Sequence, residues 1–176
     1  MAPAPIPLGI DRARHVELRE RGAQVWWRRA GIALIAAVPI LGLLDIFGQH
    51  STSVGYSSPA AAMTIDSPTR VRGGLMFTTE IVITPSYSLK DARLYLDNGW
   101  FQAMTLNGVA PQPSNEGSEN QWQIWDLGPI TASAAFHLWV SWQTNPTNLG
   151  RHPQTLALYD GNTHLMTVDR TLTVFP

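Results

Sequence analysis

Imidazoles, hydroxyls, carboxylates and aromatic rings are the groups through which this 176-residue chain can act, because it contains no cysteine. That absence removes disulfides, thiolate metal sites and cysteine nucleophiles together. Of the five histidines, His137, His152 and His164 fall in the segment that patterns as a folded domain, and none has a partner at zinc-motif spacing. His164 and Met166 have the His-x-Met spacing of periplasmic copper carriers, in which alternate strand residues share a face and the thioether suits Cu(I). The further Met and His ligands of such carriers are not matched upstream, so no metal or other cofactor is expected. No G-x-S-x-G or S-x-x-K pattern supplies an activated serine. Glu80, Asp97, Glu116, Glu119 and Asp126 are the carboxylates available for acid–base work of the glycosidase kind, but they are scattered over strands and turns and read as solvated. No glycine-rich loop leads from a strand into a helix, which leaves nucleotide binding without support. The expectation is a protein that is not an enzyme.

Tryptophan is the residue that stands out. Trp100, Trp122, Trp125, Trp139 and Trp142, five of the seven, lie beyond residue 62. On a strand, residues three apart point to opposite faces, so Trp122 and Trp125 divide between inside and outside, as do Trp139 and Trp142. The outward member of each pair is a candidate for stacking on a sugar ring or anchoring a protein partner. A structural core role for all five is the competing reading.

These rings need a scaffold, and the chain pattern supplies one in three parts. Residues 30–47 (AGIALIAAVPILGLLDIF) are apolar apart from Asp45. With its flanks from Trp26 to Gly48 this stretch reaches the ~20 residues that cross a hydrocarbon core. Trp26 and Trp27 suit the interfacial aromatic belt, Arg28 and Arg29 follow them, and no Lys or Arg comes after the segment until Arg70. The positive-inside rule then puts residues 1–29, an Arg-rich tail with six arginines against three acids, in the cytoplasm and the remainder outside. The apolar core exceeds the ~7–15 residues of a signal peptide and lacks a small-x-small site directly after it, so residues 30–48 read as an uncleaved transmembrane helix in the lipid bilayer of the cell membrane. Pro39 sits mid-span; Asp45 is either a headgroup-level acid or a polar contact for another helix. Within the tail, residues 11–24 pattern as a helix.

Residues 49–62 are rich in Ser, Ala and Gly without apolar periodicity and predict a linker. From residue 63 to 176, period-2 segments recur at short spacing: a weak strand at 63–66, then 75–84, 89–96, 100–106, 121–127, 132–143, 154–159 and 164–175. In 75–84, Leu75, Phe77, Thr79, Ile81 and Ile83 share one face; in 89–96, Ala92, Leu94 and Leu96 point inward and Arg93 and Tyr95 outward. Asp97-Asn98-Gly99 predicts a hairpin turn, residues 107–120 a polar loop, residues 144–153 another, and Asp160-Gly161-Asn162 a turn into the last strand. About eight strands with turns every 8 to 12 residues predict an all-β, antiparallel sandwich of immunoglobulin type.

Residues 126–176, with the WDLGPI turn, a long apolar strand, LALYDG and the closing RTLTVFP, resemble the C-terminal half of bacterial immunoglobulin-like extracellular domains. The resemblance implies a fold and no chemistry, since such sandwiches carry many functions. The net charge of −1 speaks against nucleic acid as a partner, though it averages a basic tail with a −3 balance over residues 49–176. Two roles remain open: an accessory domain that binds a protein in the membrane or envelope, using Asp45 and outward Trp, and a module that binds carbohydrate or cell wall through the same rings.

Overall fold

A computed structural model describes residues 22–43, 50–102 and 104–176, with residues 22 and 23 described by backbone alone. The chain divides into two compact units, Met1–Gly48 and Gln49–Pro176. Asp45, the expected helix at 11–24 except its last three residues, and the end of the expected span lie outside the described residues.

In the first unit, helix α1 runs from Gly22–Leu43, with Pro39 inside it. Its segment Gln24–Leu43 is long and apolar enough to cross a membrane, and none of that window is buried. A signal sequence has the same features. The helix begins eight residues before the expected span, so Trp26, Trp27, Arg28 and Arg29 sit on its first turns, all exposed, with the two indoles edge to face at 5.4 Å.

The second unit is built from eleven strands among the described residues: β1 (Ser51–Ser57), β2 (Ala61–Pro68), β3 (Arg70–Arg72), β4 (Met76–Pro85), β5 (Leu89–Asp97), β6 (Met104–Ala110), β7 (Asn115–Glu119), β8 (Trp122–Ile130), β9 (Phe136–Thr144), β10 (Gly150–Asp160) and β11 (Thr163–Phe175). A one-turn helix, α2 (Gly99–Gln102), joins β5 to β6. Sheet one has the order β1-β2-β4-β9-β6 and sheet two β3-β11-β10-β5-β8-β7. All pairings are antiparallel except that of β3 with β11. The all-β sandwich expected from the sequence is therefore present.

Alternation builds its core. Met63 and Ile65 of β2, Phe77, Ile81 and Ile83 of β4, and Leu138, Val140 and Trp142 of β9 face inward from sheet one. Leu94, Leu96, Trp125, Leu156, Leu158, Val168, Leu172 and Val174 meet them from sheet two. Each such side chain contributes about 1.5–3 kcal/mol when taken from water. Thr79 joins this inner face with its hydroxyl bonded to Ser67 at 2.9 Å, so the buried polar pair is satisfied.

Several boundaries differ from expectation, each for a physical reason. Residues 51–57, expected within a linker, form edge strand β1, paired residue for residue with β2 from Ser51↔Pro68 to Ser57↔Ala62. Exposed at every residue but Tyr56, which packs against the core, β1 carries no sustained apolar alternation and is held chiefly by its backbone ladder. The folded unit thus begins near residue 51 instead of 63. Leu75 is 45% exposed because β4 starts after it, at Met76. Asp97-Asn98-Gly99 does not close a hairpin, since β5 and β6 belong to different sheets. The chain turns there through α2, with the Phe101 and Gln102 amides donating to the Asn98 carbonyl at 3.0 Å. Residues 107–120 hold the end of β6 and all of β7 instead of a loop, and β10 starts at Gly150 within the other expected loop. The turn at Asp160-Gly161-Asn162 is as expected: Gly161 takes φ 56°, and Asp160 Oδ1 accepts from the Lys90 and Asp91 amides at 2.9 Å.

Candidate functional site

Burial sorts the five tryptophans. Trp100, Trp125 and Trp142 are 1%, 1% and 0% exposed, which withdraws them as surface candidates and makes them core. Trp122 is half-buried on the outer face of sheet two, and Trp139 is exposed on the outer face of sheet one. Each pair three residues apart splits between the faces, as the pleat requires. Trp139 stacks on His137 at 5.5 Å, and His137 Nδ1 lies 2.8 Å from Glu80 Oε1. This small cluster is self-contained.

Trp122 has wider company. Its ring meets Tyr95 of β5 edge to face at 6.4 Å; Tyr95 meets Tyr159 of β10 at 4.5 Å; Tyr159 meets His164 of β11 at 5.1 Å. Register explains the row. Trp122 pairs with Asp97, Tyr95 with Ala157, and Tyr159 with His164, so two diagonal contacts and one directly opposed pair carry rings across four successive strands. A hollow of about 290 Å³ opens between the rings, lined by Tyr95, Glu119, Asn120, Trp122, Ala157 and Tyr159. A second, of about 310 Å³, lies on the other side of Trp122, lined by Asp97, Asn98, Gln102 and Gln121 among others. The indole therefore divides two hollows, each with a carboxylate at its wall, Glu119 in one and Asp97 in the other. Asp97 Oδ1 is buried without a hydrogen-bond partner.

The rim is set by the β7–β8 hairpin, whose two connecting residues, Asn120 and Gln121, both have positive φ, 48° and 72°. Such a two-residue turn matches strand twist, and Asn accepts the conformation readily. Gln does not, so local strain sits at the edge of the hollows. Two residues before Tyr95 on the same face of β5, Arg93 is flanked by Asp91 at 2.8 Å and Asp126 at 3.2 Å. Asp91 first, then Asp126, hold its pKa above the ordinary arginine value.

The copper spacing and the carboxylates are not brought together among the described residues. His164 and Met166 do not share a face: a register shift at Leu158/Tyr159 leaves Met166 opposite Leu158, 6% exposed, while His164 points outward to Thr167 Oγ1 at 2.7 Å. No group of three or more metal-ligating carboxylate, His or Cys side chains occurs among the described residues. Glu80 and Asp126 are occupied by His137 and Arg93, and Glu116 is exposed on β7. Tyr95, Tyr159 and His164 were missing from the sequence-derived site. Tyr95 was legible as outward-facing; joining it to Tyr159 required the β5–β10 pairing, which local pattern does not specify.

No family model matches the chain, and no curated protein matches it in sequence. Among solved structures, the chain is similar to a non-cellulosomal cohesin from the archaeon Archaeoglobus fulgidus (14% identity over 72% of this chain and 92% of the cohesin, TM-score 0.43). It is also similar to a CARDB domain from Pyrococcus furiosus solved with di-metal ions (12%, 69% and 95%, TM-score 0.43) and to the human F-spondin reeler domain (10%, 68% and 100%, TM-score 0.43). At those identities and scores the likeness gives this chain neither an activity nor a ligand.

Proposed function

We propose that the chain is a membrane-tethered, non-catalytic binding module that captures a protein partner on the outer face of sheet two. The observation that carries this reading is the row Trp122–Tyr95–Tyr159–His164, whose rings are packed against one another before any partner arrives. Rings already held by neighbours lose little rotamer freedom on binding, which is the property of interface anchors. Their edge-to-face and tilted packing presents ring edges and hydroxyls more than open faces. With Glu119 and Asp97 on either side of Trp122, the hollows suit a partner's Lys or Arg side chain, placed against aromatic rings and a carboxylate.

Helix α1 supports the tether, with the N-terminus cytoplasmic and the sandwich outside, in line with the arginines at its start. Carbonate extraction with protease digestion of intact cells tests that part: a carbonate-resistant chain whose sandwich is cleaved from outside is expected, and release by carbonate removes the tether. A glycan is the second reading, favoured by the amides and carboxylates of Asn98, Asn120, Asp97 and Glu119 around the indole.

One experiment separates the two. Crosslinking and mass spectrometry on native membranes is run beside retention on purified wall polysaccharide, for the unaltered chain, Trp122→Ala and Tyr159→Ala. A reproducible protein partner whose recovery falls about 30-fold in Trp122→Ala is expected, the loss typical of an interface anchor. Retention on polysaccharide that Trp122→Ala abolishes replaces the protein with a glycan.

A further inference from the structure

The acidic sandwich contains a second feature of opposite sign. Residues 49–176 hold six cations against nine acids. Three of the six are engaged: Arg72 Nε donates to the Pro176 carbonyl at 3.3 Å, Arg93 lies between Asp91 and Asp126, and Arg170 donates to the Pro68 carbonyl at 2.8 Å. Among the described residues, Arg70, Arg151 and Lys90 have no side-chain partner. Two of those three, Arg70 and Arg151, meet at one open cleft of about 460 Å³ whose other walls are Thr69, Thr171 and Thr173.

The pairing of strands explains why they converge. Thr173 of β11 stands opposite Arg70 of β3 on one side and Arg151 of β10 on the other. The flanking Val71, Leu172 and Val174 are buried, so all three of these residues point outward. Two strand spacings separate the arginine Cα atoms, about 10 Å, which lets two guanidinium groups close over one small anion with a hydroxyl between them. Among the described residues no carboxylate lines the cleft. A third positive charge backs it: Arg170 turns inward, its guanidinium on the carbonyl of Pro68, the residue before Thr69, with its carbon 5.3 Å from the Trp100 ring centroid and no carboxylate in contact. Three guanidinium groups thus gather around the 68–70 and 171–173 segments of a domain that is acidic as a whole.

We propose that the Arg70–Thr173–Arg151 cleft binds a phosphate group, free or carried as an ester on an envelope molecule. Guanidinium forks match the oxygens of a tetrahedral oxyanion, and hydroxyls complete the donor set. The site is independent of the aromatic row and stands whether that row takes a protein or a glycan.

The test is calorimetric titration of the full chain in nanodiscs of zwitterionic lipid, at constant ionic strength. Inorganic phosphate and glycerol phosphate are the separate probes, with chloride as the control anion. Saturable binding of at least one probe is expected. Arg70→Gln and Arg151→Gln should each weaken it about tenfold, as loss of a charge-assisted hydrogen-bonding partner does, with Arg151→Lys intermediate and Lys90→Gln unchanged. Binding of glycerol phosphate alone identifies an ester as the ligand, and equal binding of both identifies the phosphate group itself. An unchanged thermal midpoint shows that the variants fold. The proposal falls if neither probe saturates, if the response follows ionic strength alone, or if Lys90→Gln weakens binding as much as Arg151→Gln does.

Discussion

The sandwich holds two aromatic clusters of similar composition in opposite settings. Inside, Trp142 of β9 packs against Trp100 at 5.6 Å and Phe101 at 5.5 Å, both from α2, with Arg170 over the Trp100 ring. Outside, Trp122, Tyr95, Tyr159 and His164 form an equally continuous chain of contacts, but around open hollows. The inner cluster joins sheet one to the β5–β6 crossover and so fixes the relation between the layers. The outer one lies on a face whose backbone is already ladder-bonded on both sides. Equal ring contact therefore means stability in one case and, by the reading above, recognition in the other; coverage decides which.

The largest effect that tests this contrast is Trp142→Ala. Removing a wholly buried indole should lower stability by about 3–5 kcal/mol, measured as a chemical-denaturation midpoint. Part of that loss is offset because the Trp142 Nε1 is buried without a partner and no longer needs one. A loss below about 1 kcal/mol would mean that the inner cluster does not join the layers.

Gly99→Ala approaches the same cluster through the backbone. A Cβ at Gly99 would collide with the Pro153 carbonyl oxygen, a backbone atom that cannot step aside. Either α2 shifts, carrying Trp100 away from its hydrogen bond to the Thr155 carbonyl, or β10 does. Destabilisation of about 1–3 kcal/mol is expected, with a matching change in tryptophan fluorescence. Wild-type stability in this variant would dissociate α2 from the inner cluster.

Trp122→Ala is the outer counterpart. Half-buried and flanked by hollows, Trp122 should contribute less than Trp142, about 1–2 kcal/mol of stability, while partner recovery falls sharply. A stability loss as large as that of Trp142→Ala would erase the distinction between the clusters.

The same contrast explains what was legible in sequence. The inward faces of β4 and β5 were readable because one face is more apolar than the other. Phe77, Ile81 and Ile83, for instance, alternate with Thr78, Glu80 and Val82. Strand β1 was unreadable because Ser51–Ser57 is exposed except at Tyr56, so no apolar alternation marks it and its pairing with β2 specifies it. At Trp100 the Asn98-Gly99 pair suggested a hairpin, whereas the chain crosses between sheets; nothing local to those residues encodes the crossing. Of the outer row, Trp122 was legible by residue type. Tyr95 was legible as outward-facing, but Tyr159 and His164 were not, because they come together through a bulge at Leu158/Tyr159 that shifts alternation by one residue.

Gln121→Gly tests the rim of the outer row. Gln121 has φ 72°, where a side chain costs about 1–2 kcal/mol relative to the right-handed region. Glycine relieves that cost and gives part of it back through a freer unfolded chain. A net gain of about 0.5–1 kcal/mol is expected. Unchanged stability together with weaker partner capture would show that the Gln121 side chain itself contributes to recognition.

Arg170→Met carries the smallest expected change and the clearest sign. Burial pushes the Arg170 pKa down from the ordinary arginine value to about 10, so the folded state disfavours the charged form. Below about 10 the group is protonated both folded and unfolded, and its penalty is constant. As pH rises from there toward the unfolded value, the unfolded chain binds more protons than the folded one, and this group's contribution to stability increases. Opposing the penalty are the hydrogen bond to Pro68 and the Trp100 ring. Replacing the arginine with an apolar side chain of similar length should leave stability within about 1 kcal/mol of wild type. The difference between the two proteins should stay flat from about pH 6 to about pH 8, the range in which histidines change charge. A difference that tilts within that range would show that Arg170 communicates with a titrating neighbour, and the inner cluster would then have a solvent-linked role that its burial does not suggest.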